Sequence, residues 1–261
     1  MSQQSMLDDE SGQVAKGGVE GVAGVKKHLL AVCGGTICVY EAGDDAAKCI
    51  VMLHGAMYDE SRFIWDQLFP ALAKQYHVFA IDTPRHGGSR PWSGFLDRAR
   101  LMVGLQETLS RLGRTRFSII GLSMGGGLAI EYAALYPEQV EAMALFEPGG
   151  LGERVDLQWF TYLYIKTPGM LRLLSRQYIK YSDGKVEKVL RSIYTKGTSP
   201  ISPARLTAIL KDEIHGKFEF GERDMDDWQI SGINLTHLNW NLLNQVEAIR
   251  CPTLWLRGAQ S

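Results

Sequence analysis

The 261-residue sequence has no apolar stretch of membrane-spanning length, and its opening residues carry Asp8, Asp9 and Glu10 in place of a basic flank and an apolar run. Stable membrane insertion and a secretory leader are therefore not expected, and the default location is cytoplasmic. Cysteine is scarce: Cys33, Cys38, Cys49 and Cys251 are too scattered for a disulfide framework or a compact metal site, and reduced thiols are expected. Charge of one sign is lacking as well. The 28 basic and 29 acidic residues nearly cancel and form no long block, so neither nucleic acid nor an anionic membrane is expected as the main partner. The patterns G-x-G-x-x-G, Gly-Lys-Ser/Thr and H-E-x-x-H are missing, which leaves no reason to expect a cofactor or a metal.

What is present is an ordinary globular composition, 45% apolar and 22% charged, enough for one large core or a core with an insertion. Residues 1–26 are rich in glycine and small polar groups and are expected to be a flexible leader. Residues 29–32 and 36–41 can pair as a hairpin around Gly34-Gly35. Short apolar runs follow at 49–53, 77–81, 116–120 and 140–146, separated by helix-like stretches at 61–74, 95–112 and 124–135. That alternation predicts an α/β fold whose mostly parallel sheet is covered on both faces, with active groups on the loops beyond the strand C-termini.

Gly121-Leu122-Ser123-Met124-Gly125 lies between a strand run and a helix run, the setting in which a G-x-S-x-G turn lifts a serine for attack on a carbonyl. Ser123 is the expected nucleophile. The turn at His54-Gly55-Ala56-Met57 can bring the Ala56 N–H beside the Met124 N–H, giving two donors for the charge that develops on the attacked oxygen. His54 itself reads as a structural histidine, and Asp82 to Ser89 as a turn network in which Asp82 and His86 support one another's loop. Glu147, just past the next strand, is a secondary candidate for the acid that orients a histidine. His215 and His237 are weaker candidates for the base.

After Gly150 the composition shifts to helical aromatic and aliphatic residues, with breaks at 168–169, 182–184 and 197–200. Residues 150–233 are expected to form an inserted helical cap between core segments 27–149 and 234–261, with a helical return at 234–249 and a strand at 252–256. Trp159, Phe160, Tyr162, Tyr164, Met170 and Leu171 are the expected contacts for a small, partly apolar ligand.

Together the His54-Gly55 segment, the Asp82 to Ser89 loop, the Ser123 elbow and the position of the insertion resemble the α/β-hydrolase superfamily, in its capped serine hydrolase and esterase branch. Arg85 stands where relatives commonly have glycine. The resemblance implies an ester hydrolase acting through an acyl-enzyme, with carbon–carbon bond hydrolysis of an activated ketone, or ligand binding without turnover, as alternatives. It further implies a Ser, Asp and His triad in chain order. The acid would fall immediately beyond Ser261, with the final strand, the histidine loop and the last helix after it, so the chain is expected to be a C-terminally incomplete member.

Overall fold

A computed structural model describes residues 18–193 and 203–258. Among these residues seven strands form one sheet in the order β1-β2-β4-β3-β5-β6-β7. Strands β1 (Lys26–Val32) and β2 (Gly35–Ala42) make the expected hairpin, and β2 pairs antiparallel with β4 (His77–Ile81). From β4 the sheet runs parallel through β3 (Cys49–Leu53), β5 (Phe117–Leu122), β6 (Val140–Phe146) and β7 (Thr253–Leu256). The α/β fold with a mostly parallel sheet is thus as expected.

Every residue of β3 and β4 is buried, as befits parallel strands covered on both faces. Alternation divides them: Cys49, Val51 and Leu53 join one core with helix α3 (Arg98–Arg111) and helix α4 (Met124–Leu135), while Ile50 and Met52 join a second core holding Trp65 and Phe69. Val19 is fully buried in that second core, so at least residues 18–25 are not a detached leader; residues 1–17 of the expected leader, the break at 197–200 and residues 259–261 lie outside the described part.

Two expected helices are corrected. The run 61–74 is not one helix but two short ones, α1 (Ser61–Ile64) and α2 (Leu68–Leu72). Pro70 has no N–H to donate to the carbonyl of Asp66, so a continuous helix cannot pass it, whereas the first turn of a new helix accepts it. The return at 234–249 is mostly irregular. Asn234 and Asn241 bond through their side chains to the backbone of Leu235 and Leu243, which competes with helix formation, and only α10 (Leu243–Glu247) is helical.

Between β6 and β7 lie helices α5 (Gln158–Lys166), α6 (Met170–Tyr178), α7 (Asp183–Ile193), α8 (Pro203–Glu219) and α9 (Asp227–Gly232). Gly169, at φ +83°, makes the expected break between α5 and α6. The parallel register sets Leu53 beside Ile81 and Gly121, and Phe146 beside Leu122 and Leu256. The next residues, His54, Asp82, Ser123, Glu147 and Arg257, therefore emerge along one edge of the sheet.

Phe69 is fully buried between α2 and the sheet. Phe69→Ala is expected to cost about 3–5 kcal/mol of stability with an unchanged denaturant slope, measured by urea unfolding.

Candidate active site

Ser123 occupies the one residue between β5 and α4, at φ +49° and ψ −111°, a conformation that costs a non-glycine residue about 1–3 kcal/mol. Its backbone is held from both sides: its N–H donates to Phe146 O at 2.9 Å, and its carbonyl accepts from Gly149 N at 2.7 Å. The helix behind it starts against the end of β3. A Cβ on Gly125 would stand 2.2 Å from Leu53 O and 2.6 Å from His54 O, and both neighbours are backbone that cannot swing aside. Gly125 N instead donates to His54 O at 3.1 Å, which ties the elbow to the turn that carries Ala56.

Ser123 is exposed on a cavity of about 510 Å³. Ala56 lines the same cavity, and Met124 N is the first N–H of α4. Among the described residues neither the Ala56 nor the Met124 N–H donates to a protein acceptor. An orphan donor at a helix start, as at Met124, is suited to an anionic oxygen.

His54 is fully buried with both ring nitrogens engaged. Nδ1 donates to Gly55 O at 2.7 Å, and Nε2 accepts the Thr83 N–H at 2.9 Å. Those partners fix the neutral Nδ1–H tautomer, and burial pushes its pKa down to about 4. The Asp82 loop is a closed network. Asp82 accepts from Ser61 N and Gly88 N, each at 2.9 Å, and Ser89 Oγ donates to Asp82 O at 2.6 Å. His86 donates through Nδ1 to Pro84 O at 2.8 Å, and burial, with Lys217 nearby, keeps its pKa well below the usual value.

Arg85 has φ +65°, the left-handed conformation in which glycine is cheapest, and its guanidinium bonds to Asp227 Oδ2 at 2.9 Å and Gly94 O at 2.7 Å. Buried Arg90 forks onto Glu213 at 2.7 and 2.9 Å and reaches Glu222 at 2.9 Å. The loop after β4 is thereby bonded to α8, α9 and the segment between them.

The remaining expected residues fall elsewhere. Glu147, at φ +43°, is exposed and accepts the Gly258 N–H at 2.7 Å, without lining the cavity. Of the sequence's 6 histidines none lines it: His215 and His237 are exposed, and His28 and His77 bond Glu41. Nor do Trp159, Phe160, Tyr162, Tyr164, Met170 or Leu171. Trp159 and Phe160 are 58% and 53% exposed on α5, so they face solvent and not the serine. The apolar lining comes instead from Phe63, Tyr178, Tyr181 and the faces of α7 and α8 bearing Val186, Leu190, Leu210 and Ile214. Their spacing of four along each helix was the available sequence signal. Asp59, five residues after His54, also lines the cavity and was not anticipated.

The family model for the alpha/beta hydrolase fold matches residues 48–229. Over 146 residues the chain is 30% identical to the dihydrolipoyllysine-residue acetyltransferase component of the acetoin cleaving system of Pseudomonas putida, covering 56% of this chain and 39% of that protein. Over 117 residues it is 33% identical to monoacylglycerol lipase ABHD6 of Homo sapiens, covering 42% and 33%. The chain thus spans about a third to two fifths of the length of these curated relatives. A solved membrane phospholipase A, a bacterial virulence factor, superposes with a TM-score of 0.68 at 21% identity over 98% of this chain and 75% of that one, a likeness of fold.

Two outcomes follow from this geometry. Ser123→Gly should raise the unfolding free energy by about 1 kcal/mol in urea titrations, because glycine tolerates the elbow's positive φ. For His54 the folded-state pKa lies below the ordinary 6.5, so its contribution is intact above that pH and is lost as pH falls toward about 4. Asp59 and Glu60, raised by burial to about 7 and 8, act in the opposite direction. The diagnostic is therefore a difference: between about pH 6.5 and pH 4 the stability of His54→Asn should gain on the parent by about 1.4 kcal/mol per pH unit, and level off below.

Proposed function

The chain belongs to the α/β-hydrolase fold family, and from that premise we propose that it carries the nucleophile of a serine hydrolase that cleaves a carboxylic ester of a small, partly apolar substrate through an acyl-enzyme. The observation that carries the reading is Ser123, strained on its elbow and exposed on a cavity with mainly apolar walls. Residues 150–233 act as a cap in this reading. Its substrate is a small molecule met in the cytoplasm.

The serine hydroxyl gives its proton to an imidazole while its oxygen attacks the ester carbonyl. The electron pair of the C=O moves onto its oxygen, which the Ala56 and Met124 N–H groups hold. Collapse breaks the bond to the leaving alcohol, which takes the proton from the imidazolium, and water activated by the same base then releases the acid and restores Ser123. None of the six histidines lines the cavity, and this reading assigns the base to none of them. Glu147 is a secondary assignment for the acid, and its bond to Gly258 N keeps it at the same sheet edge.

A fluorophosphonate probe applied to the whole protein should label Ser123, found by peptide mapping, and Ser123→Ala should abolish labelling and lower hydrolysis of short-chain esters by on the order of a thousandfold or more. Ester turnover that survives Ser123→Ala, or tight ligand binding with no labelling at all, would overturn the assignment.

A further inference from the structure

The cavity beside Ser123 is chemically lopsided. Phe63, Val186, Leu190, Leu210 and Ile214 give it apolar walls, and Asp59 is the one carboxyl among the residues that line it. Asp59 and the nucleophile flank the same glycine: a Cβ built on Gly55 would lie 2.2 Å from Asp59 Oδ2 and 3.5 Å from Ser123 Cβ. Asp59 N donates to Ala56 O at 3.2 Å, so the residue is held by the turn that carries the Ala56 N–H. A carboxyl oxygen cut off from water by an apolar ligand, with no new donor in its place, weakens the binding of that ligand. An entirely apolar ester would carry that penalty.

We propose that Asp59 recognises the substrate of this cavity, binding a free hydroxyl carried by the ester close to its scissile carbonyl. An attacked carbonyl carbon stands about 3 Å from the serine oxygen, and a hydroxyl bonded to a carboxyl about 2.8 Å from it. With both acceptors grouped around Gly55, the hydroxyl and the carbonyl are separated by only a few bonds. The preferred class is accordingly a partial ester of a diol or polyol, or a hydroxy-acid ester, with an apolar chain directed to α7 and α8. A hydroxyl suits the site better than an ammonium group. Burial, reinforced by the charge of Glu213, raises the Asp59 pKa to about 7, so near neutrality the carboxyl is in part protonated. A hydroxyl can bond to either form, whereas a cation needs the ionised one.

The proposal rests on the serine reading for the place of the ester, and its test is independent of turnover. Binding of 2-hydroxyethyl octyl ether and of its methyl-capped counterpart, neither of them hydrolysable, is measured by calorimetry on the whole protein. The free hydroxyl should bind at least about tenfold more tightly. Asp59→Ala should bring the two within about twofold, and Asp59→Asn, which keeps an acceptor oxygen, should retain most of the preference. Asp59→Leu, of similar volume and without an acceptor, gives the same comparison where the alanine variant does not fold. Equal binding of the two ethers by the parent, or a preference that persists in both the alanine and leucine variants, overturns the inference. A protein that discriminates the ethers but is inert to fluorophosphonate would sink the serine reading alone.

Discussion

The start of helix α4 lies against the backbone at the end of β3 with room for a hydrogen atom and nothing larger. Gly125 faces the carbonyls of Leu53 and His54, and its N–H bonds to the second of them. This contact couples two features separated by some seventy residues of sequence: the strained turn at Ser123 and the turn that presents Ala56. If the helix were farther out, the elbow would lose the support that holds its positive φ, and the bond from Gly125 N to His54 O that ties it to the Ala56 turn would break. Strain of this kind persists only where surrounding structure over-determines it. Here the bonds of Ser123 to Phe146 and Gly149 supply the rest of that constraint.

Behind the contact lies a polar layer that is buried yet largely satisfied. His54 gives one nitrogen to Gly55 O and takes the Thr83 N–H with the other, while Asp82 gathers the Ser61 and Gly88 amides. Neutral imidazoles avoid the cost of an uncompensated buried charge. Farther out the layer becomes ionic, with Arg90 forked onto Glu213 and Arg85 on Asp227. Removing one partner of such a pair leaves the other charge buried and unpaired, so these pairs fix the position of α8 and α9 more than they add net stability. Because α8 also supplies Leu210 and Ile214 to the cavity, the loop after β4 governs the shape of a site it does not line.

The cavity itself combines an exposed serine, the Ala56 turn, a carboxyl and apolar helix faces. Polar groups cluster where the strand ends converge and apolar ones where α7 and α8 cover them. That division follows from the architecture. Strand ends expose backbone and short polar loops, while amphipathic helices packed over them turn their apolar faces inward. A ligand that is polar at one end and apolar at the other matches both halves.

Much of this was legible in the chain. The all-buried apolar runs of β3 and β4, the bounds of α4 and the glycines around Ser123 depend on residues within a few positions of one another, and local sterics with hydrophobic patterning determine them. Pro70 carried a helix break that periodicity alone concealed, and the asparagines near 234–241 favoured local side-chain bonds over a helix. The sequence by itself therefore determined the strand-and-helix alternation, the fold class and the elbow serine. The tertiary structure decided which aromatic residues stay in solvent, which helix faces line the cavity, that Glu147 turns to Gly258, and that Asp59 stands beside Ser123. Those outcomes depend on which surfaces meet across long sequence separations, and a helical spacing states that a face is apolar without stating what it will be packed against.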